Sequence, residues 1–253
     1  MARMEFLKKN LSNTTTSVVV SSGSDVSDAL FDRSTTKYWE SVGATGASIV
    51  LSIEFPTPTV ISHVILQGHN LKRFRLFYNS ATANTFPTNV NVTTNSDTSS
   101  YFGLGGSSTV SSIQLQMDST TVAGAEYRIG ELIATERLCV FERNPAADDY
   151  KPVRMKKRII HEMPDGGVKV FEVSQKFKAE MKWGFITQTF HDSLLSVFDL
   201  AEPFSFIPFP TATSWDGQAK QVIWDGDFDF AHDTNDKAQG YGGKVRIREV
   251  AAG

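Results

Sequence analysis

Ile49-Val50-Leu51-Ser52-Ile53-Glu54-Phe55 carries an apolar side chain at every odd position, the period-two signature of a strand with one face buried. The same alternation returns on its C-terminal side in Arg73-Phe74-Arg75-Leu76-Phe77-Tyr78, which is predicted to bury Phe74, Leu76 and Tyr78. It returns again in Ile113-Gln114-Leu115-Gln116-Met117, and Tyr127, Ile129 and Ile133 mark a last strand of this half. The stretches between are rich in Gly, Ser, Thr, Asn and Pro. From Asn79 to Tyr101, 15 of 23 residues are Ser, Thr or Asn, which predicts a long exposed loop or weak edge strands. Several short strands, turn signals and no helical periodicity predict a β-sandwich.

The second half reads as α+β. From Phe171 to Trp183 the odd positions are Phe, Val, Gln, Phe, Ala, Met and Trp, and every even position is Glu, Ser or Lys. That pattern predicts one amphipathic strand about 43 Å long at ~3.3 Å per residue. Met163-Pro164-Asp165-Gly166-Gly167 is a turn that pairs it with Arg158-Ile159-Ile160 as a hairpin. A single helix follows, N-capped by Thr189 and striped by Phe190, Leu194, Leu195 and Phe198, with Pro203 as its stop. Phe204-Ser205-Phe206-Ile207 is predicted to be a strand running into a proline-broken loop. Val222, Trp224, Phe228 and Phe230 alternate along another strand, and Val245 and Ile247 mark the final one. The predicted fold class is mainly β: an N-terminal β-sandwich, then an α+β domain with long antiparallel strands and one short helix.

Charge density divides the chain of 253 residues. Residues 1–138 hold 10 basic and 11 acidic side chains, and the shorter 139–253 segment holds 15 and 17. The polar stretch from Glu142 to Pro152 is bracketed by prolines, so a sandwich over 1–138, a linker over 139–152 and a second, α+β domain over 153–253 are expected. The net charge of -3 gives no large field to draw in nucleic acid or anionic lipid. One cysteine, Cys139, excludes an internal disulfide and a four-cysteine zinc site. The N-terminus MARMEFLKKNL lacks the apolar core and cleavage site of a signal peptide, and no apolar run approaches the ~20 residues that cross a bilayer. Synthesis and folding in a cytosol are expected.

Ala29-Leu30-Phe31-Asp32-Arg33-Ser34-Thr35-Thr36-Lys37-Tyr38-Trp39 resembles the early loop of discoidin-like (coagulation factor 5/8 type C) domains, where an Asp-rich turn precedes a packed Trp. Ile129-Gly130-Glu131-Leu132 resembles the closing strand of the same galactose-binding-type jelly roll. His63-Val64-Ile65-Leu66-Gln67-Gly68-His69-Asn70-Leu71 is similar to a segment of tailed-bacteriophage tail proteins. The second domain, with its long strand ending at Trp183, short helix, Phe204-Ser205-Phe206 and Trp-bearing strand, resembles the ring-forming β-domains of distal-tail and tail-tip proteins, with the domain order reversed.

These resemblances imply a virion structural protein of a tail tip or baseplate, made in a bacterial host's cytoplasm. Its expected partners are other tail proteins, with homo-oligomerisation in a ring. The alternative is a carbohydrate-binding adhesion module that recognises host surface glycans. They also imply candidate sites. Asp32 and Glu131 match two calcium ligands of discoidin-like modules, while Ser34 and Lys37 replace two others, so the plainer reading is a metal-free turn with Lys37 paired to Asp32. Trp39, His69, Asn70 and Arg73 are the candidate sugar contacts. In the plainer reading, Trp39 packs the sandwich and His69-Asn70 caps a turn. Trp183, Phe204, Phe206, Trp215 and Trp224 are expected as interface anchors or core.

Three further features have plain readings. Asp225, Asp227, Asp229, Asp233 and Asp236 lack calcium-loop spacing, and the first three read as the solvent face of a strand. The basic run Lys151 to Arg158 reads as a charged strand edge in preference to a phosphate-binding patch. No catalytic motif occurs, and Cys139 between Leu138 and Val140 is expected to stay protonated and inert. No enzyme activity is expected.

Overall fold

The chain is described by a computed structural model over residues 3–12, 17–20, 27–31, 37–41, 48–78, 89–163, 167–208, 219–232 and 240–250. The strands of its first half are β1 (Glu5–Leu7), β2 (Ser17–Val20), β3 (Trp39–Glu40), β4 (Ile49–Gln67), β5 (Leu71–Tyr78), β6 (Asn89–Val92), β7 (Ser99–Thr120), β8 (Arg128–Ile129), β9 (Glu131–Thr135) and β10 (Arg137–Val140). Then come β11 (Tyr150–Glu162), β12 (Val168–Ile186), α1 (Gln188–Phe198), β13 (Phe204–Ile207), β14 (Lys220–Trp224), β15 (Asp229–His232) and β16 (Tyr241–Glu249). The fold is mainly β, a β-sandwich followed by an α+β unit, as the alternation predicts.

In the sandwich, a six-stranded sheet runs β2-β4-β7-β5-β6 with β9 also on β4, and β3 pairs with β8. Ile49, Leu51, Ile53 and Phe55 are all buried, while Glu54 is exposed. The strand runs on past Pro56 and Pro58, where the β4–β7 register shifts, to bury Ile61, Val64 and Leu66 in the same core. On β5 the prediction holds for Phe74 and Leu76, but Phe77 is buried and Tyr78 only half-buried. Phe77 lies on the opposite face, where the Arg75 guanidinium sits 6.0 Å from its ring. The predicted last strand is two short ones. Gly130 breaks it, donating its N–H to Gln67 O at 3.0 Å, and a Cβ there would lie 3.1 Å from that oxygen.

The second sheet has eight strands in the order β10-β1-β13-β14-β16-β12-β11, with β15 also on β16, and every pairing is antiparallel. Its core gathers Phe6, Phe141, Phe177, Met181, Trp183, Phe190, Phe204 and Phe206. Two boundaries differ from the predicted ones. β1 is the neighbour of β10 and β13 in this sheet, not part of the sandwich. The expected linker over 139–152 is built structure: β10, the fully buried Phe141, a turn of 3-10 helix at Ala147–Asp149 and the start of β11. The apolar Leu138, Cys139 and Phe141 just before the polar stretch decide the outcome, because they have a core to enter.

The helix also differs in detail. Its N-cap is Thr187, two residues before the predicted Thr189, with its hydroxyl accepting from Phe190 N at 3.3 Å and donating to Glu142 Oε2 at 2.5 Å. The buried stripe is Phe190, Leu194 and Val197. The strand predicted across Val222 to Phe230 is interrupted by a turn with Gly226 at φ 114°, so β14 and β15 sit in succession along β16.

Candidate functional site

The predicted sugar contacts do not form a surface. Trp39 and His69 are buried, at 0% and 2% exposure. Trp39 packs in the sandwich core. His69 bonds Ser100 Oγ through Nε2 (2.9 Å) and accepts from Leu71 N at Nδ1 (3.2 Å), with its ring edge-on to Phe74. Burial pulls its pKa down to about 4. Asn70 is spent on scaffolding, donating to Glu126 O (2.7 Å) and accepting from Arg128 N (2.8 Å). Arg73 alone is exposed. The capping reading of His69-Asn70 and the packing reading of Trp39 are the ones the geometry carries.

Near that end of the sandwich Tyr38 is an aromatic exposed among the described residues, 43% exposed, with the Arg128 guanidinium 4.7 Å from its ring and Glu40 paired to Arg128. Tyr38 is masked in the sequence by the neighbouring Trp39, the more prominent aromatic, yet strand alternation puts the two on opposite faces. For the calcium pair, Glu131 is buried, and Asp32 lies outside the described residues. Among the described residues no group of three or more His, Cys, Asp or Glu could hold a metal.

The predicted interface aromatics divide. Trp183, Phe204 and Phe206 are buried in the molecule's own core. Phe206 stacks on Phe177 (6.0 Å between ring centres) and Phe141 (6.3 Å), and Trp183 Nε1 donates to Arg143 O. They are core, not interface. Trp224 is half-buried and Trp215 lies outside the described residues. Of the acidic run, Asp225 pairs with Lys178 (3.1 Å) and Asp229 with Lys244 (3.0 Å). Asp225, Asp227, Phe228, Asp229, Lys244 and Arg246 line a cleft of about 320 Å³. Asp233 and Asp236 lie outside the described residues. Cys139 is buried and its thiol is pushed up to about 12, mainly by burial, so it stays protonated.

A buried polar node joins the two units. Glu5 of β1 accepts from Tyr101 Oη (3.0 Å) and from Arg137 Nη2 (3.2 Å), and lies 3.5 Å from His63 Nε2. Ser62 Oγ is 2.7 Å from His63 Nδ1 and accepts from Arg137 N at 2.7 Å. Arg137 Nη2 lies 3.2 Å from His63 Nε2, so that nitrogen accepts and the proton sits on Nδ1, facing Ser62. Burial and the Arg137 charge pull the His63 pKa down to about 4. A serine, a histidine and a glutamate in a row invite comparison with a hydrolytic triad. However, Ser62 and His63 are 2% and 1% exposed, and no substrate reaches them. The node is a structural joint, flanked by the apolar contact of Leu7, Ile65, Ile133 and Ile207.

Among the described residues the most exposed apolar surface is the β11–β12 hairpin. β16 pairs with β12 only over Lys178 to Ile186, so residues 155–162 and 168–176 project as a two-stranded arm, about 26 Å long at ~3.3 Å per residue. Eight of the thirteen exposed large hydrophobics among the described residues lie on this hairpin: Val153, Met155, Ile159, Ile160, Met163, Val168, Val170 and Phe171. A register shift between Lys157↔Ser174 and Arg158↔Glu172 makes Val173 an extra residue. The shift reverses the phase of β12, so Phe171 does not share the face of the buried Phe177. This is why the 13-residue alternation from Phe171 does not describe one buried face. The signal that could have revealed the arm is apolar residues of both parities, Ile159 beside Ile160 and Val170 beside Phe171. The basic run is its outer strand and forms the sheet's edge, as predicted.

No family model matches the chain, and no curated protein matches it. Among solved structures, chitosan-binding module 1 of a chitosanase/glucanase from Paenibacillus sp. IK-5 is similar at 15% identity and a TM-score of 0.41, over 49% of this chain and 97% of that one. The family 32 carbohydrate-binding module of C. perfringens NanJ, in complex with galactose, is similar at 12% identity and a TM-score of 0.42, over 51% and 99%. The corresponding module of Streptococcus pneumoniae EndoD is similar at 16% identity and a TM-score of 0.40, over 50% and 99%.

Proposed function

We propose that this chain is a structural subunit of a tailed-bacteriophage tail tip or baseplate. In this reading it is made in the host cytoplasm, joins neighbouring tail proteins in a ring, and displays its sandwich outward. Its role is binding and assembly, not catalysis. The observation that carries the reading is the projecting arm. A two-stranded hairpin without a third strand is marginal in water, and clustered exposed apolar side chains mark an interaction surface. The charged edge of β11, with Lys151, Arg154 and Lys156 to Arg158 exposed, deters indiscriminate strand pairing. The test is incorporation into purified phage particles, followed by mass spectrometry and immunoelectron microscopy. The double variant Ile159→Ser/Phe171→Ser should fold normally and fail to incorporate. A chain absent from particles would refute the reading.

The second reading, glycan recognition by the sandwich, is favoured by exposed Tyr38 with Arg128 and Glu40 beside it. An aromatic face next to a charged donor and acceptor can take a sugar ring and its hydroxyls. It is the ligand class of the modules named above. A glycan array with the whole chain tests it: binding lost in Tyr38→Ala supports it, and no binding by the parent chain rejects it.

A further inference from the structure

The arm needs a cover, and its own charge narrows the choice. The arm together with its base on β11, Tyr150 to Lys176, holds seven basic and three acidic residues, a surplus of four, of which the arm itself, Met155 to Lys176, carries two. With a chain total of -3, all remaining residues together carry -7. Two arms side by side would repel, whereas an arm against the body of another copy attracts. The negative surplus is also localised. Residues 1–138 contribute only -1, so -6 belongs to residues 139–149 and 177–253, the sheet-and-helix unit.

That unit carries a face suited to a basic, aliphatic ribbon. His191, Phe198, Trp224, Phe228 and Phe230 are half-buried and linked ring to ring at 4.9–5.7 Å. Asp199 and Asp227, next in sequence to Phe198 and Phe228, have carboxylates without a partner among the described residues. The 320 Å³ cleft opens beside Phe228, where Lys244 is held by Asp229 and Arg246 by Glu180, leaving Asp227 to meet an incoming cation. Aromatic faces accept lysine and arginine as well as aliphatic side chains.

Resting on the assembly reading above, we propose that the arm of one copy docks on the acidic aromatic face of α1, β14 and β15 of the next copy. The two surfaces differ, so the contact is head-to-tail, and each added copy leaves one free arm and one free face. Such a contact closes into a ring or runs on as a filament.

The experiment is sedimentation velocity on the full chain with two variants, the arm variant Ile159→Ser/Phe171→Ser and the face variant Asp199→Lys/Asp227→Lys. The parent chain should form oligomers larger than a dimer that weaken with added salt. Each variant alone should raise the dissociation constant about tenfold or more. Mixed together, the two variants should give a dimer and nothing larger, because only one intact arm meets one intact face. Circular dichroism of both variants should match the parent, which excludes misfolding as the cause. A parent chain that stays monomeric, a face variant that associates like the parent, or arm-dependent binding of duplex DNA in place of self-association would overturn the proposal. A monomeric parent that still enters phage particles through its arm would overturn self-docking and leave the assembly reading standing.

Discussion

His63 and His69 are buried and neutral, each with its pKa pulled down to about 4. For His63, burial is the larger cause and the Arg137 charge the smaller; for His69 the cause is burial. In the unfolded chain both titrate near 6.5. Between those values the unfolded chain takes up protons that the folded chain refuses. Their contribution is therefore complete above about pH 6.5 and is lost as pH falls toward 4. At pH 5 the loss is about 2 kcal/mol per histidine. Denaturant unfolding at pH 7 and pH 5 should show the parent chain markedly weaker at pH 5, and His69→Gln should remove about half of the difference. An unchanged pH response in that variant would show that His69 titrates normally in the fold. The capping by His69 was legible in the sequence but the burial of neither histidine was, since that depends on which strands close over it, and His63 is closed over by Tyr101 at 5.0 Å between ring centres.

At the scale of elements, local chemistry predicts most where the residues settle the matter among themselves. The β4 alternation, the pairing of Arg158-Ile159-Ile160 with the strand through Phe171 and the single helix were all legible for that reason, while residues 164–166 of the predicted turn lie outside the described residues. What the sequence did not show were features set by distant partners. Thr187 caps α1 in place of Thr189 because Glu142, 45 residues earlier, clamps its N–H at 3.1 Å and its hydroxyl at 2.5 Å. Thr187→Ala should cost about 1 kcal/mol in chemical denaturation, and Thr189→Ala much less. Equal costs would return the cap to Thr189. Gly243 on β16 is a second such case. A Cβ there would collide with Asp229 O and the Phe230 ring, which lie over it from β15. Gly243→Ala should therefore destabilise by about 1–3 kcal/mol through overpacking, although sequence marks it only as one glycine of a pair. Thermal denaturation that leaves the midpoint unchanged would show that β15 yields without cost.

At the scale of the whole molecule, the chain crosses between its two units more than once, and the shift in charge density near residue 139 records only the last crossing. β1 is drawn to the second sheet by Phe6, whose ring lies edge-on to Phe141 and Phe204 at 5.0 Å each, while Leu7 turns to the joint with Ile65, Ile133 and Ile207. A three-residue strand gives little periodicity to read, and its partners lie about 130 and 200 residues downstream. The two arrangements make opposite predictions for a chain lacking residues 1–8. If β1 belonged to a self-contained sandwich ending at residue 138, the loss would loosen the sandwich and leave the second sheet intact. In the observed fold, the deletion removes the strand between β10 and β13, strips both of their ladder on that side and empties the space of a fully buried Phe, a loss worth about 3–5 kcal/mol for the ring alone. Hydrogen exchange should then show β13 and β14 losing protection while β4 and β7 keep theirs. Protection kept in β13 and β14 and lost in β4 and β7 would return β1 to the sandwich.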